Sequence, residues 1–288
     1  MIYLLLSILT NAAIYWVFKW FDRFGVQTLP AIVVNYFVAC TIGLIVVPDL
    51  KGAVSAASQL PVWTVGGLSL GIVFISVFYL TGSAARTLGV SVATIASKMS
   101  LALAVLLFVW IDPTEQLHVA KVVAILLAMS GVYFSSLKDD GGRLSIQSLG
   151  LPILILLGST AVDFGIAHFS SFPKGDNELK LFSCLSFAMA GVCGAAVIAY
   201  QILKGKMKLT TRDIVGGIAL GTVNYGSILF LVLAYDSDIM QKSELLPVNN
   251  LGVVLVSALA AIVFFKEKLS RYNWLGVALS VVALALLL

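Results

Sequence analysis

Residues 251–265 read LGVVLVSALAAIVFF and residues 101–111 read LALAVLLFVWI, so both segments are apolar on every face of a helix. A membrane-spanning β-strand would instead alternate apolar and polar residues over about ten positions. Backbone groups in lipid must be hydrogen-bonded within their own segment, and such segments are therefore helices. Of the 288 residues, 60% are apolar and only 11% are charged, against roughly 25% charged residues in soluble domains. The sequence therefore predicts an all-α integral membrane protein.

Ten apolar segments meet or approach the length of about 20 residues that crosses a bilayer core of roughly 30 Å. The predicted spans are 1–20, 29–48, 62–84, 88–111, 117–137, 149–172, 179–203, 213–235, 243–265 and 272–288. The connections carry charges and turn residues, and none is long enough for a soluble domain. Most of the chain is therefore expected to lie in the lipid bilayer. We expect a multi-pass protein of the cell (inner or plasma) membrane.

The two halves of the sequence agree when one is shifted by 150 residues. GGLSLG at 66–71 then falls on GGIALG at 216–221, and six of the twenty positions in 66–85 are identical to their partners. The predicted repeats are 1–138 and 149–288, joined by a linker at 139–148. Because each half has five spans, the second half enters the membrane from the opposite side. The ten helices are thus predicted to form two inverted five-helix repeats, an architecture common among secondary transporters.

Glycines four residues apart mark the third and eighth spans. Gly67 and Gly71 lie on one helix face, and Gly217 and Gly221 lie on the corresponding face in the second half. Two small residues on one face allow another helix to approach closely. These two spans are therefore expected to pack tightly against neighbouring helices.

Further features are spread along the chain. Lys19 closes the first span, SAARTLGVSVATIAS at 83–97 links the third and fourth spans, and 247–284 combines a proline, an acidic loop and a glycine-bearing last span. The residues that stand out in this last segment are Pro247, Glu267, Trp274 and Gly276. Together these features resemble the drug/metabolite transporter superfamily, specifically its ten-span EamA-type branch. The resemblance covers the whole chain and implies a ten-helix transporter.

The sequence departs from that family at two places. Ser97 and Lys98 stand where the second half has Pro247 and its successor, and Asn35-Tyr36 stands where many relatives carry an arginine. The orientation also stays open. Twelve Lys and Arg residues fall on odd-numbered connections and five on even-numbered ones, which favours both termini outside, whereas the resemblance implies that both are cytoplasmic.

Ionisable residues within spans are costly and often functional. Lys98 lies near the middle of its span, and we expect it to bind an anionic substrate group or to titrate; the alternative is a buried ion pair. Asp163 is equally deep and has three possible roles, which are pairing with Lys98, binding an amine and carrying a proton. Glu244 lies about one turn inside its span. It has two possible roles, as a carboxylate of the binding site or as a group at the membrane interface.

Amide and aromatic side chains form a second set of candidate substrate-binding residues, since an amide both donates and accepts hydrogen bonds. Pro247 adds to this set because it frees a backbone carbonyl one turn upstream. The alternative for each amide is an interhelical hydrogen bond worth roughly 0.6 kcal/mol. The candidates are Asn11, Trp16, Asn35, Tyr36, Tyr79, Asn224, Tyr225, Asn249 and Asn250.

Several classes of function find no support. The sequence has no GxxxxGK[ST], HExxH, CxxC or GxSxG motif and no basic run with interleaved aromatics. We therefore expect no ATP-driven transport, metal, cofactor or nucleic-acid partner and no enzymatic activity. The expected oligomeric state is a monomer or a homodimer.

The sequence best fits a secondary active transporter that works by alternating access, in efflux, coupled to protons or to exchange. Lys98 argues against lipophilic cations and favours small polar or amphipathic metabolites, either amino-acid-like or anionic. One alternative is a passive channel or facilitator on the same scaffold, which concentrative uptake would separate from a carrier. Another is a membrane-embedded enzyme, for which the loops are too short to supply an interfacial acidic or histidine-rich cluster.

Overall fold

The computed structural model describes residues 1–111, 119–137, 149–236 and 242–286. These residues form α-helices joined by short connections, without any strand in the described ranges. The helices are α1 (Ile2–Phe24), α2 (Thr28–Ile45), α3 (Leu50–Ser58), α4 (Val62–Thr87), α5 (Val90–Lys98), α6 (Ser100–Ile111), α7 (Val119–Ser136), α8 (Gly150–Phe169), α9 (Asp176–Leu203), α10 (Thr211–Asp236), α11 (Lys242–Val263) and α12 (Arg271–Ala285).

Seven helices within the described ranges, namely α1, α2, α4, α7, α9, α10 and α11, are long and apolar enough to cross a membrane. The other apolar helices are shorter, at 10–17 residues within Val90–Ala104, Gly150–Ile166 and Arg271–Ala285. The prediction of an all-helical, multi-pass membrane protein is confirmed at this level. Each predicted span contains a helix, and the division into repeats at 138 and 149 stays a prediction.

Two features differ from the predicted spans. The connection after α2 contains the nine-residue helix α3, which begins where the Asp49 side chain accepts a hydrogen bond from the N–H of Gly52 (2.9 Å). Its buried alanines, Ala53 and Ala57, face the core of apolar side chains that includes α9. The predicted span 88–111 is interrupted at Met99, between α5 and α6.

The helices group into two compact units. Unit 1 comprises Met1–Lys19, Leu80–Thr160 and Gly226–Leu288, and unit 2 comprises Trp20–Tyr79 and Ala161–Tyr225. Each unit therefore draws on both halves of the sequence. In unit 2, for example, a shift of 150 residues carries most of the first segment onto the second.

In unit 2, α2 and α9 pack along their length. A methyl group on Gly43 would lie 2.7 Å from the sulfur of Cys184, and one on Gly194 would collide with Val33. The two contacts correspond to each other when the halves of the sequence are exchanged. A shift of 151 residues places Gly43 on Gly194 and Val33 on Cys184. As α2 rises from 33 to 43, its contacts on α9 fall from 194 to 184, so these two equivalent helices run antiparallel.

The glycines of α4 make close contacts with α9, as their spacing predicted. A methyl group on Gly67 would lie 3.1 Å from the carbonyl oxygen of Phe182, and one on Gly71 would lie 2.6 Å from that of Ser186. Backbone atoms cannot move aside as flexible side chains do. Only glycine therefore allows α4 to approach α9 this closely.

The glycines of α10 make the corresponding contacts with α2. A methyl group on Gly217 would lie 2.6 Å from the carbonyl oxygen of Ala31, and one on Gly221 would lie 2.9 Å from that of Asn35. Shifts of 150 and 151 residues convert these pairs into the α4–α9 pairs. The tight packing predicted for spans three and eight is confirmed, and both contacts recur with the halves exchanged.

In unit 1, α7 and α12 make an extensive antiparallel contact. A methyl group on Gly276 would lie 2.8 Å from the carbonyl oxygen of Gly131 and would also collide with the backbone of Ser135. Asn273, in the first turn of α12, donates to the carbonyl oxygens of Ser135 (2.6 Å) and Leu137 (3.2 Å). This amide closes the C-terminal end of α7, while α5 and α12 both pack on α11.

Candidate functional site

The first candidate region is the interruption between α5 and α6. The N–H of Met99 still bonds the carbonyl of Ile95 (3.0 Å), whereas the N–H of Ala102 bonds the carbonyl of Met99 (3.1 Å), only three residues back. The chain therefore makes one tight turn immediately after Lys98. The Lys98 side chain is half-buried at this turn, so the prediction that placed Lys98 inside an uninterrupted span is corrected in its local geometry.

Hydroxyl groups surround this interruption. The Ser100 hydroxyl donates to the carbonyl of Ser97 (2.5 Å), and from α8 the Ser159 hydroxyl lies 3.4 Å from the Ser97 hydroxyl. The Thr160 hydroxyl contacts the carbonyl of Ser100 at 3.5 Å and bonds its own helix at Leu156 (2.7 Å). These contacts place α8 against the turn. Ser159 and Thr160 were not among the predicted site residues. Two adjacent hydroxyl side chains in the middle of an apolar span could have identified them in the sequence.

The second candidate region is the segment of α11 that begins at Pro247. Pro247 is buried, and a shift of 150 residues places it on Ser97, at the first interruption. Proline has no N–H, so the carbonyl four residues upstream loses its helical partner. The first half therefore has a tight turn after Lys98, whereas the second half loses one backbone hydrogen bond at Pro247 within the continuous helix α11. Both positions lie in unit 1.

Asn249 is the most unusual polar side chain of this segment. It is 1% exposed, and neither its amide nitrogen nor its amide oxygen has a hydrogen-bond partner among the described residues. Most buried polar atoms in proteins are paired, and leaving one unpaired costs about 1–3 kcal/mol. Two turns further along α11, the buried Ser257 hydroxyl also lacks a partner in the described part of the chain. The neighbouring Asn250 is 6% exposed.

The amides of unit 2 are arranged differently. The Asn224 side chain in α10 donates to the Asn35 side-chain oxygen in α2 at 3.1 Å, and both residues are buried. Tyr36 is 1% exposed, and its ring lies 5.6 Å from that of Phe78 and 6.1 Å from that of Phe187. These residues connect helices of unit 2 by an amide pair beside an aromatic cluster.

The predicted site residues divide equally between the two units. Those in unit 1 are Asn11, Trp16, Lys98, Glu244, Asn249 and Asn250, and those in unit 2 are Asn35, Tyr36, Tyr79, Asp163, Asn224 and Tyr225. Asp163 and Tyr225 are half-buried, whereas Tyr79 is 44% exposed. Glu244 lies in the first turn of α11, and its side chain lies outside the described residues.

The polar groups beside the α5–α6 turn and those that follow Pro247 in α11 suit a ligand that exchanges hydrogen bonds and carries negative charge. An unpaired amide offers both a donor and an acceptor, and the Lys98 ammonium offers only donors with a positive charge. Among the described residues, no group of three or more His, Cys, Asp or Glu side chains could hold a metal ion.

These features define a multi-pass helical membrane protein in which one predicted span is broken between α5 and α6 and another contains an internal proline. The chain is 26% identical over 291 aligned residues to an uncharacterized protein of Haemophilus influenzae, which covers 98% of this chain and 95% of that protein. A protein of known crystal structure superposes with a TM-score of 0.53 and 17% identity, over 97% of this chain and 95% of that one. No protein-family model matches the chain. The structural match is a likeness of fold alone.

Proposed function

We propose that this protein is a secondary active transporter of the cell membrane that moves small polar or amphipathic metabolites by alternating access. The observation that carries the proposal is the break between α5 and α6 immediately after Lys98, together with Pro247, which a shift of 150 residues places on Ser97 and which removes one backbone hydrogen bond within α11. Discontinuous helices commonly form the substrate and ion sites of transporters, where free backbone groups and polar side chains meet the ligand.

The packing of the halves supports this proposal. In unit 2, the equivalent helices α2 and α9 run antiparallel, and their glycine contacts recur with the halves exchanged. Two inverted five-helix repeats produce this reciprocity, and inverted repeats underlie alternating access in many transporters. The resemblance of the sequence to the EamA-type branch of the drug/metabolite transporter superfamily points the same way. We propose export, coupled to protons or to exchange.

The substrate class follows from the charges and amides of unit 1. A half-buried lysine disfavours a cationic ligand and favours a carboxylate or another anionic group. An amide with two unpaired atoms favours a ligand with its own donor and acceptor. We therefore propose an amino-acid-like or anionic metabolite, bound by the protein as a monomer or homodimer without a cofactor.

The test combines ligand binding and flux. Purified protein is screened for thermal stabilisation by amino acids, organic anions, sugars and amines, because a ligand at 100 times its dissociation constant adds about 2.7 kcal/mol to the folded state. A stabilising compound is then followed into proteoliposomes under an imposed proton gradient. Accumulation above the external concentration supports a carrier, whereas equilibration without accumulation would favour a channel.

Lys98→Met is the critical variant, and Lys180→Met is its matched control. Lys180 pairs with Asp176 at 3.6 Å, with side chains that are 39% and 87% exposed. Loss of a charged hydrogen bond worth about 1.5–3 kcal/mol lowers affinity by about tenfold to a hundredfold. We expect this loss in Lys98→Met only, with both variants folded. Unchanged transport by folded Lys98→Met would remove Lys98 from the proposed site.

A further inference from the structure

One carboxylate joins three separate segments at one end of unit 1. Glu267 lies in the connection between α11 and α12, with its Oε1 3.3 Å from Nζ of Lys19 in the C-terminal half of α1. The same oxygen accepts a hydrogen bond from the backbone N–H of Val90, the first residue of α5 (3.1 Å). Lys19 also donates to the carbonyl oxygen of Arg86 in α4 (3.4 Å). We name the group of Lys19, Glu267 and the N–H of Val90 the clasp.

The backbone is shaped to admit this carboxylate. Gly89 has a φ of +111°, and a methyl group there would lie 2.8 Å from Oε2 of Glu267. A negative charge at a helix N-terminus is favourable because the N–H groups of the first turn point towards it. The Lys19 and Glu267 side chains are only 25% and 14% exposed, so water screens the ion pair less than at an open surface.

Two polar atoms beside the clasp are unsatisfied. Trp16 lies one turn before Lys19, with its ring 6.2 Å from that of Phe264, and its indole N–H has no partner among the described residues. Ser91 follows Val90, is 3% exposed, and its hydroxyl likewise has no partner in the described ranges. Buried groups of this kind favour an arrangement in which water can reach them.

Two opposing interactions therefore meet at this end of unit 1. The charge-assisted contacts of Glu267 hold α1, the α4–α5 connection and the α11–α12 connection together. The unpaired indole N–H and hydroxyl favour their separation, since hydration would supply the missing partners. A molecular switch requires a structural element with two arrangements, each of them favoured by its own contacts.

We propose that the clasp is a gate that closes one end of unit 1 and opens during the transport cycle. This inference rests on the proposed function and adds the element that controls access from one side of the membrane. In the closed arrangement Glu267 bridges Lys19 and α5, and Ser91 is shielded. In the open arrangement the ion pair is broken, and Ser91 and Trp16 meet water.

The test measures access to position 91 without measuring transport. Ser91→Cys is labelled with a water-soluble maleimide in the parent background and in Lys19→Met, Glu267→Gln and the double variant. Glutamine at 267 retains an oxygen for the N–H of Val90 and removes only the charge that faces Lys19. The native cysteines, Cys40, Cys184 and Cys193, all lie in unit 2, and protein without the Ser91→Cys change gives their background labelling.

We expect the labelling rate to rise about three- to tenfold in Lys19→Met and in Glu267→Gln, as a shift of the closed–open equilibrium by that factor requires. The double variant should label no faster than the faster single variant, because both changes remove one ion pair. Lys180→Met, which breaks an exposed pair in unit 2, should label at the parent rate. Each variant is first shown to be monodisperse. If Lys19→Met does not fold, the labelling rate of Glu267→Gln alone tests the gate.

Parent-like labelling in folded Lys19→Met and Glu267→Gln would overturn the gate, as would an equal rise in Lys180→Met. The outcome is independent of the proposed function. If labelling rises when the ion pair is removed but the protein transports no substrate, the clasp controls access and the proposed function is wrong. A transporter whose labelling ignores both substitutions has transport without this gate.

Discussion

The buried amides of the two units have different hydrogen-bond partners. In unit 2, Asn224 donates to Asn35 across two helices, at 3.1 Å. In unit 1, Asn249 is as deeply buried, at 1% exposure, and neither of its amide atoms has a partner among the described residues. The residue type and the burial are alike. The Asn35 oxygen is paired although its amide nitrogen has no partner among the described residues, whereas both amide atoms of Asn249 lack one.

This difference separates amides that hold helices together from an amide available to a ligand. A paired amide stabilises its own unit, and replacing it costs stability. An unpaired buried amide destabilises its unit, and such residues are expected at functional sites, where local stability is given up for activity. Residue type and depth alone do not assign a function, whereas the partner does.

Asn249→Leu gives the largest expected effect, on binding and transport. Leucine is similar in size and removes two unpaired polar atoms, so the protein should unfold at the same temperature or a higher one. A ligand that bonds both amide atoms loses about 1–3 kcal/mol, which lowers its affinity by about fivefold to 150-fold. Thermal unfolding and proteoliposome flux on one preparation measure both quantities. A fall in stability with normal transport would show that Asn249 is structural.

The next effect concerns the helix packing of unit 2. Gly71→Ala and Gly221→Ala each place a methyl group against backbone atoms, and we expect each to lower the free energy of unfolding by about 1–3 kcal/mol. Because the two contacts correspond under exchange of the halves, the two losses should be similar. Unfolding by denaturant or detergent titration measures them.

Gly150→Ala is the control for these variants, since none of the described residues lies within 4 Å of the added methyl group. It should leave stability unchanged or raise it, because alanine favours helix over glycine by about 1 kcal/mol. Losses that differ widely between Gly71→Ala and Gly221→Ala would contradict the reciprocity of the packing.

Much of this architecture is predictable from the sequence because lipid allows few alternatives. Apolar segments such as 251–265 must be helical, and paired glycines such as Gly67 and Gly71 must meet another helix closely. The short helix α3 was missed because its nine residues include Lys51 and several small or polar side chains, which resemble a loop. Its start depends on the hydrogen bond from Gly52 to Asp49.

The candidate site was less predictable. Hydropathy gave 88–111 as one span, because Ser97, Lys98 and Ser100 are too few to break a long apolar stretch and the turn has no glycine or proline to mark it. The sequence also gave Asn35, Asn224 and Asn249 alike as candidate substrate-binding amides. Their difference lies in contacts between residues nearly 190 positions apart, which hydropathy and residue spacing do not encode.

A smaller effect is expected in the paired amides. Asn224→Leu removes the bond to Asn35, and interhelical hydrogen bonds in membranes contribute about 0.6 kcal/mol on average and up to about 1.7 kcal/mol. Stability should fall by an amount in this range, while flux per folded molecule is retained. Asn35→Leu should lose a similar amount, and the double variant should lose less than the sum, as residues in direct contact do. Additive losses would mean that the pair is not a stabilising contact.

The smallest effect tests the same comparison within unit 1, using two serines that are both fully buried. The Ser280 hydroxyl donates to the carbonyl of Gly276 at 2.8 Å, whereas the Ser257 hydroxyl has no partner among the described residues. Ser280→Ala should lower stability by about 0.5 kcal/mol, the lower end for an intramolecular hydrogen bond, because this bond lies within α12. Ser257→Ala should raise stability, because a buried hydroxyl without a partner is removed. Opposite signs in thermal unfolding would show that unit 1 contains polar groups with and without internal partners. A loss in Ser257→Ala would instead show that this hydroxyl contributes to folding, and Asn249 would remain the one unpaired group of α11 assigned to a ligand.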